Sequence, residues 1–160
     1  MLGKAILLLM FRYNYETNNR LLDLAAKVTA EQWDAPQEAG QRSLHQTLFH
    51  IMAVEEEWLY LCKCRESIWD TRSFVAYPDV ASLRAFSEQT YQVYRPYLEA
   101  LSEEQLAATV TGIMPDGDTQ TVVIWRMLVH NLYHSAQHRS EVASMLTRYG
   151  HSPGDIDFYG

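Results

Sequence analysis

No stretch of this 160-residue chain approaches 18 consecutive apolar residues, so nothing in it reads as a membrane-spanning helix. Positive charge is scarce too. The 13 Lys and Arg stand against 20 Asp and Glu, a net charge of −7, and the pI is near 5.3. Nucleic acid requires a basic patch to neutralise phosphates, so it is excluded as a partner. Cysteine is limited to Cys62 and Cys64. On a helix these point about 200° apart, at 100° per residue, and neither bridge nor share a metal. Free thiols in a reducing cytoplasm are the simpler reading. Also missing are a Gly-rich phosphate loop, a nucleophile elbow and a Cys–His pair at recognisable spacing. The apolar start, Met1 to Met10, is short and leads straight into Arg12 and Glu16 with no small-residue cleavage site, so it reads as helix and not as a signal peptide.

What is present is a 48% hydrophobic chain of a size suited to one domain, residues 1–160, with a sizeable core. Apolar periodicity marks four helices. The first runs from about 4 to 28, with Asn14 and Asn18 at helical spacing on its otherwise apolar side. The second opens on the capping box Ser43–Gln46 and continues to about Cys64. The third spans about Asp79 to Ala100, with a kink or early end expected at Pro96. The fourth runs from about Thr119 to Tyr149 and stops at Gly150, the residue type preferred for a left-handed cap. Pro115-Asp116-Gly117 between β-formers predicts a short hairpin or extended loop before it. The connection from about 65 to 78 is long enough to traverse a bundle, so helices two and three could run parallel. The fold class is therefore all-α, a four-helix bundle with long connections.

The chemistry lies in the histidines. His134 and His138 stand at i and i+4, on one helical face and roughly 5–6 Å apart at Cβ. Two imidazoles placed so can converge on one divalent cation at about 2.0–2.1 Å per Zn–N bond. On a helical wheel Ile124, Trp125, Leu128, Leu132, Ala136, Val142, Ala143 and Leu146 form the apolar arc of the fourth helix, and this pair flanks it. His130 lies further round toward the polar side. His50 flanks the corresponding arc of the second helix. Together His50, His134 and His138 would make an open site. Ordinary half-buried histidines bonded to backbone are the alternative. His45 and His151 read as surface residues. Neutral imidazoles suit zinc, nickel, copper or iron(II), with zinc, nickel and iron foremost, and the sequence does not choose among them.

Glu57 shares His50's flank as an outer-shell acceptor, an extra ligand or a solvated charge, the last being the default. Glu55 falls inside the apolar arc. A buried carboxylate must be hydrogen-bonded or protonated, and Asn14, Asn18 or a tyrosine is its expected partner. His134-Ser135-Ala136-Gln137-His138 lacks the glutamate of the His-Glu-x-x-His metalloproteases, which disfavours proteolysis.

Asn131-Leu132-Tyr133-His134-Ser135-Ala136-Gln137-His138-Arg139 resembles, with some slippage, the Asn-x-x-x-His-x-x-x-His-Arg-Gly-Gln signature of the DinB-like (damage-inducible) metalloenzymes. Met145 to Asp157 is similar to that family's closing helix, Gly-His-x-Pro turn and terminal aspartates. Leu48-Phe49-His50-Ile51 with Glu55 and Trp58 resembles its second-helix motif, and Asn18 to Asp23 its first. The ordered set covers most of the chain. The resemblance implies a four-helix bundle holding one divalent metal on His50, His134 and His138, a homodimer and a cytosolic location. Its relatives include bacillithiol- and mycothiol-dependent thiol-S-transferases and a mycothiol-dependent isomerase. One departure is Ser140-Glu141 where the family has Gly-Gln, a change expected to act on the site's outer shell or on helix packing.

Two functions are consistent with these residues. The first is a metal-dependent enzyme acting on a small molecule, with a low-molecular-weight thiol as cosubstrate whose thiolate the metal would deliver. The second is a non-catalytic metal- or ligand-binding stress protein. A basic cleft for an anionic thiol would favour the first, with Arg12, Arg20, Arg126 and Arg139 as candidates.

Overall fold

The computed structural model describes residues 2–37, 41–68, 72–114 and 116–159. Four long helices, α1 (Leu2–Ala25), α3 (Leu44–Cys64), α4 (Val80–Ala100) and α6 (Ile124–Arg148), form the bundle. Two five-residue helices, α2 (Ala30–Asp34) and α5 (Glu103–Ala107), and a hairpin of β1 (Thr109–Ile113) and β2 (Thr119–Val123) fill the connections. No helix among the described residues is long and apolar enough to cross a membrane.

The start signals act where the sequence places them. Ser43 and Gln46 cap α3 reciprocally, and Asp79 with Ser82 does the same for α4. At the far end of α6 the Gly150 amide bonds to Thr147 O and the His151 amide to Leu146 O. Gly150 sits at φ 83°, as this six-to-one closure requires.

Partner pairs fix the directions. Phe49 meets Phe86, and the Tyr97 hydroxyl donates to Cys62 O, so α3 and α4 run parallel. Lys4 bonds to Glu99 O and Arg84 to Asp23, so α1 and α4 run antiparallel. A helix of 21 residues is about 30 Å long. The chain after Cys64 must therefore travel back along the bundle, with a 3-10 turn at Phe74–Ala76 on the way.

Several boundaries differ from expectation. The first helix ends at Ala25 and the chain restarts as α2, capped by Thr29 and Gln32. The fourth begins at Ile124 because Thr119–Val123 pairs with β1 in register Thr109↔Val123 to Ile113↔Thr119. The expected hairpin is present, closed by Met114 N to Asp118 O at 2.7 Å, while its Pro115 lies outside the described residues. α4 does not stop at Pro96 but runs on to Ala100. Pro96 is exposed and close to the helix end, so the donor it lacks costs little there. β1 lies against α3 so closely that a Cβ on Gly112 would stand 2.6 Å from the Leu61 side chain.

The apolar interior is in two parts. One surrounds Leu7, Leu61, Leu98, Ile124 and Leu128, the other Leu21, Leu48, Leu83, Val142 and Leu146. Between them α1 contributes buried Asn14 and Asn18, and α6 contributes buried Asn131, Ser135 and Arg139. The buried stripe of α6 is thus rotated from the apolar arc of the sequence. Trp125 is 48% exposed and Ala136 is exposed, because the polar side chains at 131, 135 and 139 take the buried side of the helix.

Candidate metal centre

α3 and α6 pack antiparallel, with Trp58 edge-on to His130 at one end and His50 beside His138 at the other. His134 and His138 project from successive turns of α6 toward His50. His50 Nε2 lies 3.1 Å from His134 Nε2. Ring centroids are 4.9 Å apart for His50–His134, 4.7 Å for His50–His138 and 4.5 Å for His134–His138. One nitrogen from each of the three falls within 4.8 Å of the others. Two imidazoles on a tetrahedral zinc place their nitrogens about 3.3 Å apart, so the closest pair already stands near that spacing.

The protonation chemistry fits a cation. Burial pushes His50 down to about 3, helped by Arg42 and the two neighbouring imidazoles. Burial likewise lowers His134 to about 4, with His138, His130 and Arg42 adding to it. Both rings are neutral at neutral pH and offer lone pairs. His138 Nδ1 lies 2.8 Å from Glu141 Oε2. A carboxylate only accepts, so Nδ1 carries the proton and Nε2 keeps its lone pair for the cluster. His138 is buried while His50 and His134 are half-buried, which leaves one side open.

Glu141 acts on the site's surroundings, one of the two effects expected of that position; its specific bond to His138 was not foreseen, although the i, i+3 spacing was a legible signal. It occupies the position where Ser140-Glu141 departs from the family's Gly-Gln. Glu57, the acceptor weighed from the sequence, is outside the converging cluster. His130 is exposed, its ring 6.4 Å from that of His134. His45 is not a surface residue. It is 4% exposed, stacked on Trp33 at 4.8 Å, and bonded through Nδ1 to Asp34 and through Nε2 to Tyr77 O. It ties α2 and the 3-10 turn to α3. His151 is half-buried.

Glu55 finds the partner expected for it, accepting from Asn14 Nδ2 at 2.8 Å. Burial pushes its carboxyl up to about 7, opposed by the Asn14 bond and by the Arg139 charge. Arg139 donates to Asn14 Oδ1, and Asn131 Nδ2 donates to Glu55 O at 3.3 Å. This layer lies behind the histidines and braces α6 against α1 and α3. The four arginines proposed for a cleft are used elsewhere. Arg12 pairs with Glu16, Arg20 holds the backbone of Pro153 and Asp155, Arg139 is buried, and Arg126 faces the hairpin end of the seam. Cys62 and Cys64 are free thiols, and burial pushes Cys62 up to about 12.

Two cavities lie along the seam, and of the three histidines only His134 lines one of them. One of about 460 Å³ is lined by His134 together with His130, Tyr133 and Ser140. One of about 750 Å³ includes Arg42, Thr47, Ser140, Glu141 and Arg148. A groove of about 1060 Å³ between α1, α2 and α4 contains none of the three histidines.

The chain shows no significant similarity to any curated protein. Solved structures do resemble it. A DinB-like protein, YjoA from Bacillus subtilis, is 16% identical with a TM-score of 0.65, over 89% of this chain and 92% of that one. YfiT from Bacillus subtilis is 17% identical with a TM-score of 0.70, over 93% of this chain and 89% of that one. YfiT is described as a probable metal-dependent hydrolase with an unusual four-helix bundle topology. The DinB family profile matches residues 1–160, and the chain belongs to the DinB family.

Proposed function

We propose that this protein is a divalent-metal-dependent enzyme in which His50, His134 and His138 are the ligands. It brings a small nucleophile, water or a low-molecular-weight thiol, to a small-molecule electrophile. The observation that carries this reading is the convergence of three imidazole nitrogens within 4.8 Å on a side left open by two half-buried rings. The description of YfiT as a probable metal-dependent hydrolase supports it.

A divalent ion held there would serve as a Lewis acid that lowers the pKa of the nucleophile in its remaining position. The chain's own residues prepare that position. Burial keeps His50 and His134 unprotonated. Glu141 keeps the proton of His138 on Nδ1 and so fixes the tautomer and the ring orientation. The Glu55–Asn14–Arg139 layer holds α6 in register behind them. Cys62 is inert at neutral pH, so the protein supplies no thiolate from the core.

Ester hydrolysis and thiol consumption with a model electrophile test this reading. Activity disappears on chelation, returns with added metal, and falls in folded His50, His134 and His138 variants. Cys62→Ser and Cys64→Ser remain active. Full activity in metal-free protein refutes the proposal, and so does loss of activity on removing one cysteine. Tight metal binding without turnover of either kind would favour a carrier or sensor. We further propose a homodimer formed through a helical face, supported by exposed Ile6 and Leu9 on α1 and Val93 on α4.

A further inference from the structure

The seam that carries the histidines continues beyond them. Ser140 lines both the cavity that holds His134 and the larger one of about 750 Å³. The larger cavity is lined by Gln41 and Arg42 just before α3, Thr47 of α3, and Ser140, Ser144 and Arg148 of α6, with Met145 the apolar member. Arg148 is held in place, donating to Gln37, whose amide in turn donates to the Tyr149 hydroxyl at 2.8 Å. Arg42 is exposed and makes no ion pair among the described residues. The carboxylate on this wall, Glu141, is already engaged by His138. On a chain of net charge −7, this is a positive recess beside the reaction centre.

We propose that this recess is an anion subsite, in which Arg42 and Arg148 bind a carboxylate or phosphate group of the substrate while its reactive group lies at the histidines. The inference rests on the metal-dependent reading above and adds the substrate class, a small oxyanion-bearing metabolite. Two guanidiniums suit it because each presents a planar fork of donors to an oxyanion. Placing them at one end of the seam orients the substrate, since the opposite end is walled by Trp58, Val122 and Met127.

The test uses cobalt(II)-loaded protein and visible absorption, which reports entry of a ligand to the metal without any turnover. Alkyl hydroxamates of increasing length are titrated beside analogues carrying a terminal carboxylate or phosphonate. At one length the charged tail should bind about 10-fold or more tightly than the neutral one, equivalent to about 1.4 kcal/mol, and the advantage should shrink with added salt. Arg42→Ala/Arg148→Ala should abolish the advantage while neutral hydroxamates bind as before. If the double variant fails to fold, Arg42→Gln alone should reduce the advantage. Charged tails no tighter than neutral ones at every length, or an advantage that survives loss of both arginines, would overturn the subsite and leave the metal reading intact. Cobalt-loaded protein whose spectrum answers to no hydroxamate would instead refute the open metal position, and the subsite with it.

Discussion

Each histidine of the cluster is tuned by its immediate neighbours, and those neighbours give the sharpest tests. Glu141 accepts from His138 Nδ1. Glu141→Ala should weaken metal affinity by about 10–100-fold while leaving the stoichiometry unchanged. Glu141→Gln should retain most of the affinity, because its amide oxygen still accepts. Competition with a chromophoric chelator measures both, and equal affinity in Glu141→Ala would remove the outer-shell role. Glu55 makes a pH prediction. Its carboxyl is raised from 4.5 to about 7, so between these values the folded protein keeps a proton that the unfolded chain has lost. The stability due to this group is therefore full below pH 4.5 and is lost as pH rises through 7, by about 3 kcal/mol across the window. Glu55→Gln should remove that slope, so the variant gains on the parent as pH rises from 4.5 to 8 in urea titrations. Parallel pH profiles for the two proteins would contradict the assignment.

Among the elements, the long helices and their caps are local features and were legible. Ser43–Gln46 and Asp79 mark where α3 and α4 begin, and Gly150 marks where α6 ends. The short helices were missed because five residues show no periodicity, although Thr29–Gln32 and Ser102–Gln105 are the same capping pattern. The start of α6 was misplaced because Thr119–Val123 fits either period until β1 pairs with it. The convergence of the three histidines could be read from i, i+4 spacing together with the family resemblance. The burial of His45 could not, since its partners Asp34 and Tyr77 come from separate segments. The polar layer between α1 and α6 was half visible in Asn14 and Asn18, while Arg139 was read as a candidate for a basic cleft. Arg139 is 4% exposed and donates to Asn14, so Arg139→Ala leaves buried acceptors unmatched. It should cost about 1–3 kcal/mol of unfolding free energy in chemical denaturation. A loss below about 1 kcal/mol, the worth of an ordinary surface contact, would show that this layer does not brace the bundle.

At the scale of the whole molecule, the parallel pairing of α3 and α4 follows from the long connection after Cys64, and it sets α3 directly against α6. His50 can therefore meet His134 and His138, which are more than 80 residues distant in sequence. The homodimer is checked by light scattering at micromolar concentration, where a dimeric mass is expected and a monomeric one would remove it. Beneath every functional statement lies the claim that one divalent ion is held by His50, His134 and His138. Elemental analysis of protein purified without a histidine tag tests it most directly. The account predicts about one divalent ion per chain, retained in His130→Ala and His45→Ala and lost in His50→Ala/His138→Ala. Unchanged metal content in that double variant would contradict it.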